Sequence, residues 1–430
     1  MKRLILLLLV VIFASLRAPS PTWAQFVEPD VHVLYTLRAE VPGDSFGWVA
    51  ERLGDLDRDG ASDFVVGAPG SNAGGALAGR AYVYSGRTGA LLQTITGQAG
   101  DRLGFSTAGP GDLDRDGRPD YVVGGLGRVL ALSGRDHHVL FDLRVPGEAF
   151  GYDVGAAGDV NRDGHPDVIV GAITAAVGGV RLFGKVYAVS GKDGQILWTH
   201  EGHVAQGLLG TGVSGIDDLD GDGVPEQAVG ARGAGQAYVL SGRDGTLLRT
   251  MAPDPTAGAF GDFFVHDAGD VDRDGRRDIL VGDYADNEAG AGAGKAYVYS
   301  GRTGDPLWVL QGATAGDGFG IGRGIGDVNH DHHADLFLAS YNSSAGAPSG
   351  GKLYLYSGKD GRALRTMTGS VAGAQLGFDA VGLGDVNRDR RTDLLVTGVD
   401  VAHVVAGICH DDDDDDDDRD RDRDGHHDCD

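Results

Sequence analysis

Cysteine is almost absent from this chain, which contains only Cys409 and Cys429, both next to its acidic C-terminal tail. A disulfide framework therefore cannot hold the body of the protein together. The two cysteines can form one disulfide that closes a loop of about 20 residues. The lower chain entropy of the unfolded state would alone make this disulfide stabilise the fold by roughly 3 kcal/mol. Pairing with a second molecule is the alternative. No His or Cys cluster in the sequence suggests a zinc site.

Long apolar runs are lacking beyond the first 24 residues. The chain opens with Met-Lys-Arg, then LILLLLVVIFASL, then Thr22-Trp23-Ala24. A basic N-terminus, a short apolar core and a small residue before the cleavage site are typical of a Sec signal peptide. Residues 1–24 are therefore predicted to be a signal peptide, with a membrane anchor as the alternative, although the run is short for a span. We expect a protein that is secreted or held at the cell surface, or one that is periplasmic.

Sustained helical periodicity and basic clusters are lacking as well. The apolar residues form short runs rich in Val and Tyr and bounded by Gly and Asp, which is typical of β-strands. The net charge is −26, and nucleic-acid binding would need a clustered basic face, so we predict none. The sequence also shows no nucleophile–base pair and no nucleophile elbow, so the protein is not predicted to be an enzyme.

An acidic nine-residue segment is present seven times, at intervals of 47 to 59 residues. The copies read DLDRDGASD from Asp55, DLDRDGRPD from Asp112, DVNRDGHPD from Asp159, DLDGDGVPE from Asp218, DVDRDGRRD from Asp270, DVNHDHHAD from Asp327 and DVNRDRRTD from Asp385. Oxygen-bearing side chains at positions 1, 3, 5 and 9, with glycine usually at position 6, suit a hard cation such as Ca2+. Acidic turns that merely cap strands through Asx hydrogen bonds are the alternative.

The sequence predicts five to seven structural calcium sites at these loops. The candidate ligands are Asp55, Asp57, Asp59 and Asp63; Asp112, Asp114, Asp116 and Asp120; Asp159, Asn161, Asp163 and Asp167; Asp218, Asp220, Asp222 and Glu226; Asp270, Asp272, Asp274 and Asp278; Asp327, Asn329, Asp331 and Asp335; and Asp385, Asn387, Asp389 and Asp393. Loops 6 and 7 have His332 and Arg390 in place of the glycine, which is costly where φ is positive. The occupancy of these two loops is therefore left open.

A repeat near 50 residues indicates a solenoid, a propeller or an array. Each repeat contains a Phe-Gly or Leu-Gly pair, the acidic loop and three further short apolar segments. Four strands per repeat predict an all-β, seven-bladed β-propeller over residues 25–408, with the acidic loop between the first and second strands. Only two strands follow the seventh loop, whereas an extra one starts near His32. We therefore predict that this N-terminal strand completes the seventh blade and closes the ring.

Residues 409–430 form an acidic tail that is predicted to be disordered without cation. The loops and the tail hold 38 of the 63 acidic residues, so the body is not itself strongly acidic. Asp420, Asp422, Asp424 and Asp428 repeat the offsets of the loops and could form an eighth calcium site. DRDGHHDCD also resembles the start of a thrombospondin type 3 calcium repeat; a plain acidic tail is the alternative.

The Phe-Gly pair, the acidic loop and Gly67-Ala68-Pro69 together resemble the FG-GAP repeat of integrin α-chain propellers. This resemblance implies a seven-bladed propeller with calcium loops on its lower face and partner binding on the opposite, upper face. Integrin α chains carry such loops in only some blades, whereas all seven are recognisable here. The leg domains, membrane span and cytoplasmic tail of the family are not present in this sequence, which favours a free-standing relative over a receptor subunit.

The connections between second and third strands vary most among the repeats, and loops on a rigid scaffold often carry recognition. They are long in repeats 1, 3, 5 and 6. The partner-binding residues predicted there are Tyr284, Asp286, Asn287, Glu288, Tyr341 and Asn342. We expect a monomeric, non-catalytic adhesion module for an extracellular protein or glycan, with no transmembrane segment after the signal. The alternative is a polysaccharide-active or other hydrolase or lyase built on a propeller.

Overall fold

The computed structural model describes residues 25–408, in which 28 strands form seven four-stranded antiparallel sheets. Blades 1 to 4 contain β2 (Ala50–Gly54), β3 (Asp63–Ala68), β4 (Arg80–Tyr84) and β5 (Leu91–Thr96); β6 (Ser106–Gly111), β7 (Asp120–Gly125), β8 (Arg128–Leu132) and β9 (Val139–Arg144); β10 (Phe150–Gly158), β11 (Asp167–Ala172), β12 (Lys185–Val189) and β13 (Ile196–Glu201); and β14 (Leu209–Gly215), β15 (Gln227–Ala231), β16 (Gln236–Leu240) and β17 (Leu247–Met251). A single-turn 3-10 helix, Arg232–Ala234, joins β15 to β16.

The remaining strands complete the ring. Blades 5 to 7 contain β18 (Val265–Gly269), β19 (Asp278–Asp283), β20 (Lys295–Tyr299) and β21 (Pro306–Gln311); β22 (Phe319–Gly326), β23 (Asp335–Ser340), β24 (Lys352–Tyr356) and β25 (Ala363–Thr368); and β26 (Ala380–Gly384), β27 (Asp393–Gly398), β28 (Val401–Val405) and β1 (Val33–Arg38). The predicted seven-bladed propeller is confirmed, with the first strand of each blade innermost. Each acidic loop joins the first strand of its blade to the second, on the face that we call the lower face.

The seventh blade is closed by the N-terminal strand, as the sequence predicts. Strand β1 pairs antiparallel with β28, from Val33 opposite Val405 to Arg38 opposite Val401. The preceding residues extend the closure onto blade 6, where Phe26 forms a bridge with Gly369 and is buried. The carboxylate of Glu28 also accepts hydrogen bonds from the backbone N–H and the hydroxyl of Thr368, both at 2.7 Å. The start of the described chain therefore binds two neighbouring blades.

Each repeat packs through its Phe-Gly or Leu-Gly pair. Phe46 is buried and meets the Tyr82 ring edge to face at 5.7 Å. Gly47 has φ of +91°, and a Cβ there would lie 2.3 Å from the carbonyl oxygen of Gly398 in the neighbouring blade. The aromatic or aliphatic residue therefore fills the space between blades, and the glycine allows their backbones to approach. This close approach explains why the pair recurs in every repeat.

Outer strands contact the next blade through large side chains that cover a turn glycine. The Trp198 indole N–H donates to the carbonyl oxygen of Gly242 at 2.6 Å, and Trp308 makes the equivalent bond to Gly358 at 3.2 Å. The Tyr35 hydroxyl on β1 likewise donates to the carbonyl oxygen of Gly86. The same contact thus joins ordinary blades and the closing strand, so the sequence element Ser-Gly-x-x-Gly is an interblade contact.

We expect Gly245→Ala to destabilise the propeller by about 2–4 kcal/mol, because it combines backbone strain with overpacking. Gly245 has φ of +73°, and a Cβ there would meet the Trp198 ring at 2.6 Å. Gly373→Ala is the matched control, since Gly373 also has φ of +73° but no atom within 4 Å of its Cβ position. Chemical denaturation should show the larger loss for Gly245→Ala; equal losses would contradict the packing role of Trp198.

A histidine is buried in the closing blade. His403 on β28 is buried, its Nδ1 lies 2.9 Å from the Thr36 hydroxyl on β1, and its Nε2 has no hydrogen-bond partner. Burial lowers the pKa of His403 to about 4, and the charge of Arg38 acts in the same direction. Protonation is therefore disfavoured in the folded state and remains easy in the unfolded chain, where the pKa is about 6.5.

We predict that His403 weakens the fold as pH falls from about 6.5 to about 4, because the unfolded state binds more protons in this window. The loss approaches roughly 3 kcal/mol at the acid end and is absent above pH 7. Denaturant unfolding of the wild type and of His403→Asn should be compared at each pH, since other acidic groups contribute equally to both. A difference between them that does not change with pH would contradict the prediction.

Candidate functional site

Six of the seven acidic loops, those of blades 1, 2, 3, 5, 6 and 7, share one hydrogen-bond arrangement, seen in blade 1. The carboxylate of Asp55 accepts hydrogen bonds from the N–H groups of Asp59 at 3.1 Å and Gly60 at 3.0 Å. Asp57 accepts from the N–H of Asp59 at 3.0 Å. Asp63, at position 9, is buried at the start of β3, where it accepts from the N–H groups of Leu56 at 2.7 Å and Gly86 at 3.0 Å. The loop is thus folded around its own carboxylates, and these come to lie close together.

Four loops gather enough carboxylates to hold a metal ion. Among the described residues, acidic ligand atoms lie within 4.8 Å of one another in blades 1, 2, 4 and 5. The groups are Asp55, Asp57 and Asp63; Asp112, Asp114 and Asp120; Asp218, Asp220, Asp222 and Glu226; and Asp270, Asp272 and Asp278. Of these four groups, that of blade 4 is the one that includes the side chains of all four predicted positions. Oxygen-only ligand sets of this kind suit Ca2+.

The residue at position 5 behaves differently from its predicted role in several loops. Asp59, Asp116 and Asp274 stand outside the close groups of blades 1, 2 and 5. Each instead pairs with an arginine from the turn after the third strand: Asp59 with Arg87 at 3.4 Å, Asp116 with Arg135 at 3.8 Å and Asp274 with Arg302 at 2.9 Å. The sequence pattern alone could not reveal these arginines, because they lie about 20 to 30 residues further along the chain.

The loops of blades 3, 6 and 7 keep the same fold with asparagine at position 3. The carboxamide oxygens of Asn161, Asn329 and Asn387 accept from the N–H of the residue at position 5, at 2.8–3.0 Å. His332 and Arg390 adopt φ of 69° and 70° where other loops have glycine, so the suspected strain is present. Three carboxylates and one amide oxygen thus remain in each of these loops, and they form no close acidic group among the described residues.

Electrostatics in the loops favour a bound cation. Burial, with repulsion from neighbouring carboxylates, raises the pKa of Asp63 and Asp120 to about 6 and that of Glu226 and Asp278 to about 7. In blade 4 the Oε1 atom of Glu226 is buried without any hydrogen-bond partner. A hard divalent cation would both relieve the repulsion and satisfy this oxygen. The residues present therefore fit calcium, and blade 4 fits it best.

Neighbouring loops are linked around the lower face through position 7. Arg118 of loop 2 donates to the carbonyl oxygen of Leu56 in loop 1 at 2.6 Å. The rings of His165 and His333 contact the carbonyl oxygens of Leu113 and Val271 in the preceding loops at 2.5 Å and 2.6 Å. A metal ion that orders one loop would consequently restrain the next.

An axial cavity of about 670 Å³ runs between the innermost strands. Its upper end is ringed by aromatic side chains from different blades. Trp48 lies 5.3 Å from Phe105 and 5.0 Å from Phe378, and Phe105 lies 5.1 Å from Tyr152, measured between ring centroids. Trp48 also meets Phe263 of blade 5 at 6.2 Å. Aromatic rings therefore narrow the upper entrance to the cavity.

Charged groups lie deeper in the cavity. The Arg323 guanidinium of blade 6 contacts Glu51 of blade 1 at 2.8 Å and Asp379 of blade 7 at 2.9 Å. Asp153 of blade 3 accepts a hydrogen bond from the N–H of Val213 at 2.7 Å. Burial raises the pKa of Glu51 and of Asp379, and that of Asp153 to about 8. The cavity is thus polar inside and aromatic at its upper end.

The six predicted partner-binding residues fall into two groups in the structure. Tyr284 and Tyr341 line the cavity at its upper end, 6.5 Å apart, and the Tyr284 hydroxyl donates to Asp262 at 2.7 Å. The other four residues hold loops in place. Asp286 is buried and accepts from Thr256, Asn287 accepts from Gly292, Glu288 pairs with Lys295, and Asn342 donates to the carbonyl oxygen of Gly316.

The residues at the centre of the ring are not among the site residues predicted from the sequence. A signal for them exists: the residue directly after the Phe-Gly or Leu-Gly pair is aromatic in four repeats, as Trp48, Phe105, Tyr152 and Phe378. The charged residues Glu51 and Arg323 had no such signal, because their positions hold small or unrelated residues in the other repeats. Only the closed ring brings them together.

Several predictions lie outside the described residues. The signal peptide, the tail ligands Asp420, Asp422, Asp424 and Asp428, and the Cys409–Cys429 disulfide all fall there. Within residues 25–408, no helix is long and apolar enough to cross a membrane.

Comparison with known proteins agrees with the repeat pattern. The FG-GAP-like repeat family model matches residues 55–123 and 218–281, and the FG-GAP repeat model matches residues 150–187. Integrin alpha-5 of Xenopus laevis is 38% identical over 91 residues, which are 19% of this chain and 8% of that protein. Integrin alpha-V of Gallus gallus is 37% identical over 104 residues, which are 22% of this chain and 10% of that protein. The match thus covers about a tenth or less of these relatives.

The fold is also similar to a solved structure, described as BBS1N in complex with ARL6DN, soaked with lead. The TM-score is 0.56 at 11% sequence identity, and the match covers 87% of this chain and 96% of that one. At this identity the similarity concerns the fold alone.

Proposed function

Because the chain is an integrin α-like FG-GAP propeller, we propose that it is a calcium-binding interaction module that recognises an extracellular protein or a glycan without catalysis. The signal-like residues 1–24 support export, and calcium outside cells suits weak extracellular sites. The observation that supports the proposal is that the two faces of the propeller carry different kinds of loop. The seven acidic loops, equal in length, occupy the lower face, whereas loops of unequal length and the aromatic entrance occupy the upper face.

Calcium is given a structural role in this proposal. The candidate ligands lie in loops whose backbone is already folded by internal hydrogen bonds, and the loops are joined to one another through Arg118, His165 and His333. Ordering the lower ends of the blades would hold the strands that position the upper face. Recognition then depends on calcium without direct contact between the ion and the partner.

The upper-face loops of blades 5 and 6 are the proposed contact region. Each is eleven residues long, between Asp283 and Lys295 and between Ser340 and Lys352, whereas β15 and β16 of blade 4 are separated by four residues. Tyr284 and Tyr341 place aromatic rings beside the axial cavity. The long loops therefore form one wall around the aromatic entrance.

Replacing both loops by the short connection of blade 4 should abolish partner capture. The transplant runs from Ala231 to Gln236, so that glutamine replaces Lys295 and Lys352 and no buried lysine is left without its carboxylates. Binding to a panel of immobilised matrix proteins and glycans is measured together with the melting temperature, which should change by only a few degrees. The equivalent exchange in blade 1, residues 69–79, is the control. Unchanged capture by the double exchange would contradict the proposal.

A hydrolase or lyase is the second candidate, and one observation favours it: the axial cavity contains carboxyl groups and not only small apolar residues. An enzyme of this kind would release new reducing ends from a polysaccharide, and Asp153→Asn would abolish that release. Binding without release of reducing ends favours the interaction module.

A further inference from the structure

The axial cavity contains polar groups that neither the calcium loops nor the variable loops use. We propose that this cavity binds a neutral pyranose unit of a glycan, with its apolar face on the aromatic entrance and its hydroxyl groups towards the interior. The inference deepens the proposed function, on which it rests, by naming the class of ligand that the upper face admits.

The dimensions and walls of the cavity suit such a ligand. Its volume of about 670 Å³ falls within the range of small-molecule sites, which are mostly apolar with a few convergent polar groups. The Trp48, Phe105 and Phe378 side chains line the cavity and are half-buried, so part of each remains accessible. Aromatic rings offer a large, rigid apolar surface, and the C–H groups on one face of a pyranose ring pack well on such a surface.

An unsatisfied hydroxyl group points to a hydrogen-bonding ligand. Thr107 on β6 lines the cavity, is only 5% exposed, and its Oγ1 atom has no hydrogen-bond partner. A buried polar group without a partner costs about 1–3 kcal/mol, so its retention calls for an explanation. A ligand hydroxyl in the cavity would supply the missing partner.

Further donors and acceptors converge from other blades. Asp153 of blade 3 and Ser214 of blade 4 line the same cavity as Thr107 of blade 2. The backbone N–H of Val213 binds only one carboxyl oxygen of Asp153, Oδ2. Sugar hydroxyls both donate and accept, which matches a mixture of hydroxyl and carboxyl groups better than it matches a single charged group.

The charge balance of the cavity favours a neutral ligand. Both arginines that line the cavity are already paired: Arg323 with Glu51 and Asp379, and Arg277 with Asp267. Burial raises the pKa of Asp153 to about 8, which favours its neutral, hydrogen-bond-donating form at neutral pH. The negative charge that would attract an ammonium group is thereby reduced, and among the described residues that line the cavity no unpaired arginine is left to bind a carboxylate.

A strained residue lies at the entrance. Phe263 has φ of +58°, which is rare for a bulky side chain, and blade 5 has one residue more than blade 4 between its Phe-Gly pair and its acidic loop. Strain of this kind is most often retained at functional sites. Here it places the Phe263 ring 5.0 Å from Tyr152 and 6.2 Å from Trp48, over the entrance.

The test uses the calcium-loaded full chain and six probes: glucose, galactose, mannose, N-acetylglucosamine, the cationic glucosamine and the anionic glucuronate. Saturation-transfer NMR and titration calorimetry should show at least one neutral sugar binding more tightly than both charged ones. Thr107→Val should weaken that binding about tenfold while leaving the melting temperature equal or higher, because it removes a hydroxyl that has no partner in the protein. Trp48→Ala should weaken it at least as much, whereas Thr250→Val, on an exposed outer strand, should not change it.

Each contrary result overturns the inference. Binding of glucosamine alone indicates a cation site, and binding of glucuronate alone indicates an anion site. Binding that Thr107→Val leaves intact places the sugar elsewhere, and binding of none of the six probes leaves the cavity without this role. Calcium stoichiometry is measured on the same samples, so a protein that binds calcium but no sugar contradicts this inference alone, whereas a protein that binds no calcium contradicts the proposed function.

Discussion

Calcium at one hundred times the dissociation constant of its loops should raise the free energy of unfolding by about 2.7 kcal/mol for each occupied site. With the four close acidic groups of blades 1, 2, 4 and 5 filled, the total is about 11 kcal/mol. The physical reason is that folding brings carboxylates together and the ion binds only where they are together. For a propeller of this size the melting temperature should rise by roughly 10 °C. Calorimetric scans with calcium and with a chelator measure the difference directly.

A substitution in the blade 4 loop provides the most discriminating variant for this experiment. Glu226→Gln keeps the shape of the side chain but removes one of four carboxylates and the charge on the buried Oε1 atom. It should remove about one quarter of the calcium-induced stabilisation and one site from the measured stoichiometry. Asp193→Asn, at an exposed turn of blade 3, is the matched control and should change neither. A chelator that leaves the melting temperature of the wild type unchanged would contradict the structural role of calcium.

Arg323→Ala should destabilise the propeller by about 3–5 kcal/mol, which is typical when one partner of a buried ion pair is removed. Arg323 is only 14% exposed and joins blade 6 to blade 1 and to blade 7, in which the ring closes. Its loss leaves Glu51 and Asp379 buried without a cation. Denaturant unfolding at neutral pH gives the free energy, and Arg362→Ala, in an exposed pair on the same blade, should cost less than about 1 kcal/mol.

The triple variant Arg323→Met, Glu51→Gln, Asp379→Asn separates charge from packing. Because it removes the charges together, it should recover most of the stability that Arg323→Ala loses. If the triple variant is as unstable as Arg323→Ala, the contribution of Arg323 is packing and the charge argument is wrong. Calcium affinity of the loops should be similar in both, since the triad lies in the cavity and not on the lower face.

The fold was predictable because the sequence of each repeat contains the signals for its own strands and turns. Strand length, the Phe-Gly pair and the acidic loop recur in register, so the period gives the number of blades without any tertiary information. The closure could also be predicted, since the strand missing after Asp385 is present near His32. The hydrogen bonds of Glu28 to Thr368 could not, because nothing in either segment alone distinguishes them from ordinary surface residues.

The candidate site was only partly predictable, for a physical reason. Ligands within one loop are neighbours in sequence, so Asp218, Asp220, Asp222 and Glu226 could be found from their spacing. Contacts between residues far apart in the sequence leave no such trace: Arg87 pairs with Asp59 within blade 1, and Arg323 of blade 6 meets Glu51 of blade 1 across 272 residues. The roles of Asp286 and Glu288 were equally hidden, because an acidic residue in a long loop can either face solvent or hold the loop to Lys295.

The pairing of β1 with β28 also governs the timing of folding. Thr36 contacts a partner 367 residues later in the chain, so during synthesis the first strand leaves the ribosome long before its neighbours in the sheet exist. Six blades can form one after another from contacts within each repeat. The seventh blade can form only after the last strand has been synthesised, and its formation costs the conformational entropy of closing a very large loop. Until that moment β1 and β28 are unpaired edges able to join another molecule. Domain-swapped dimers formed at high expression rates would therefore exchange this strand before any other.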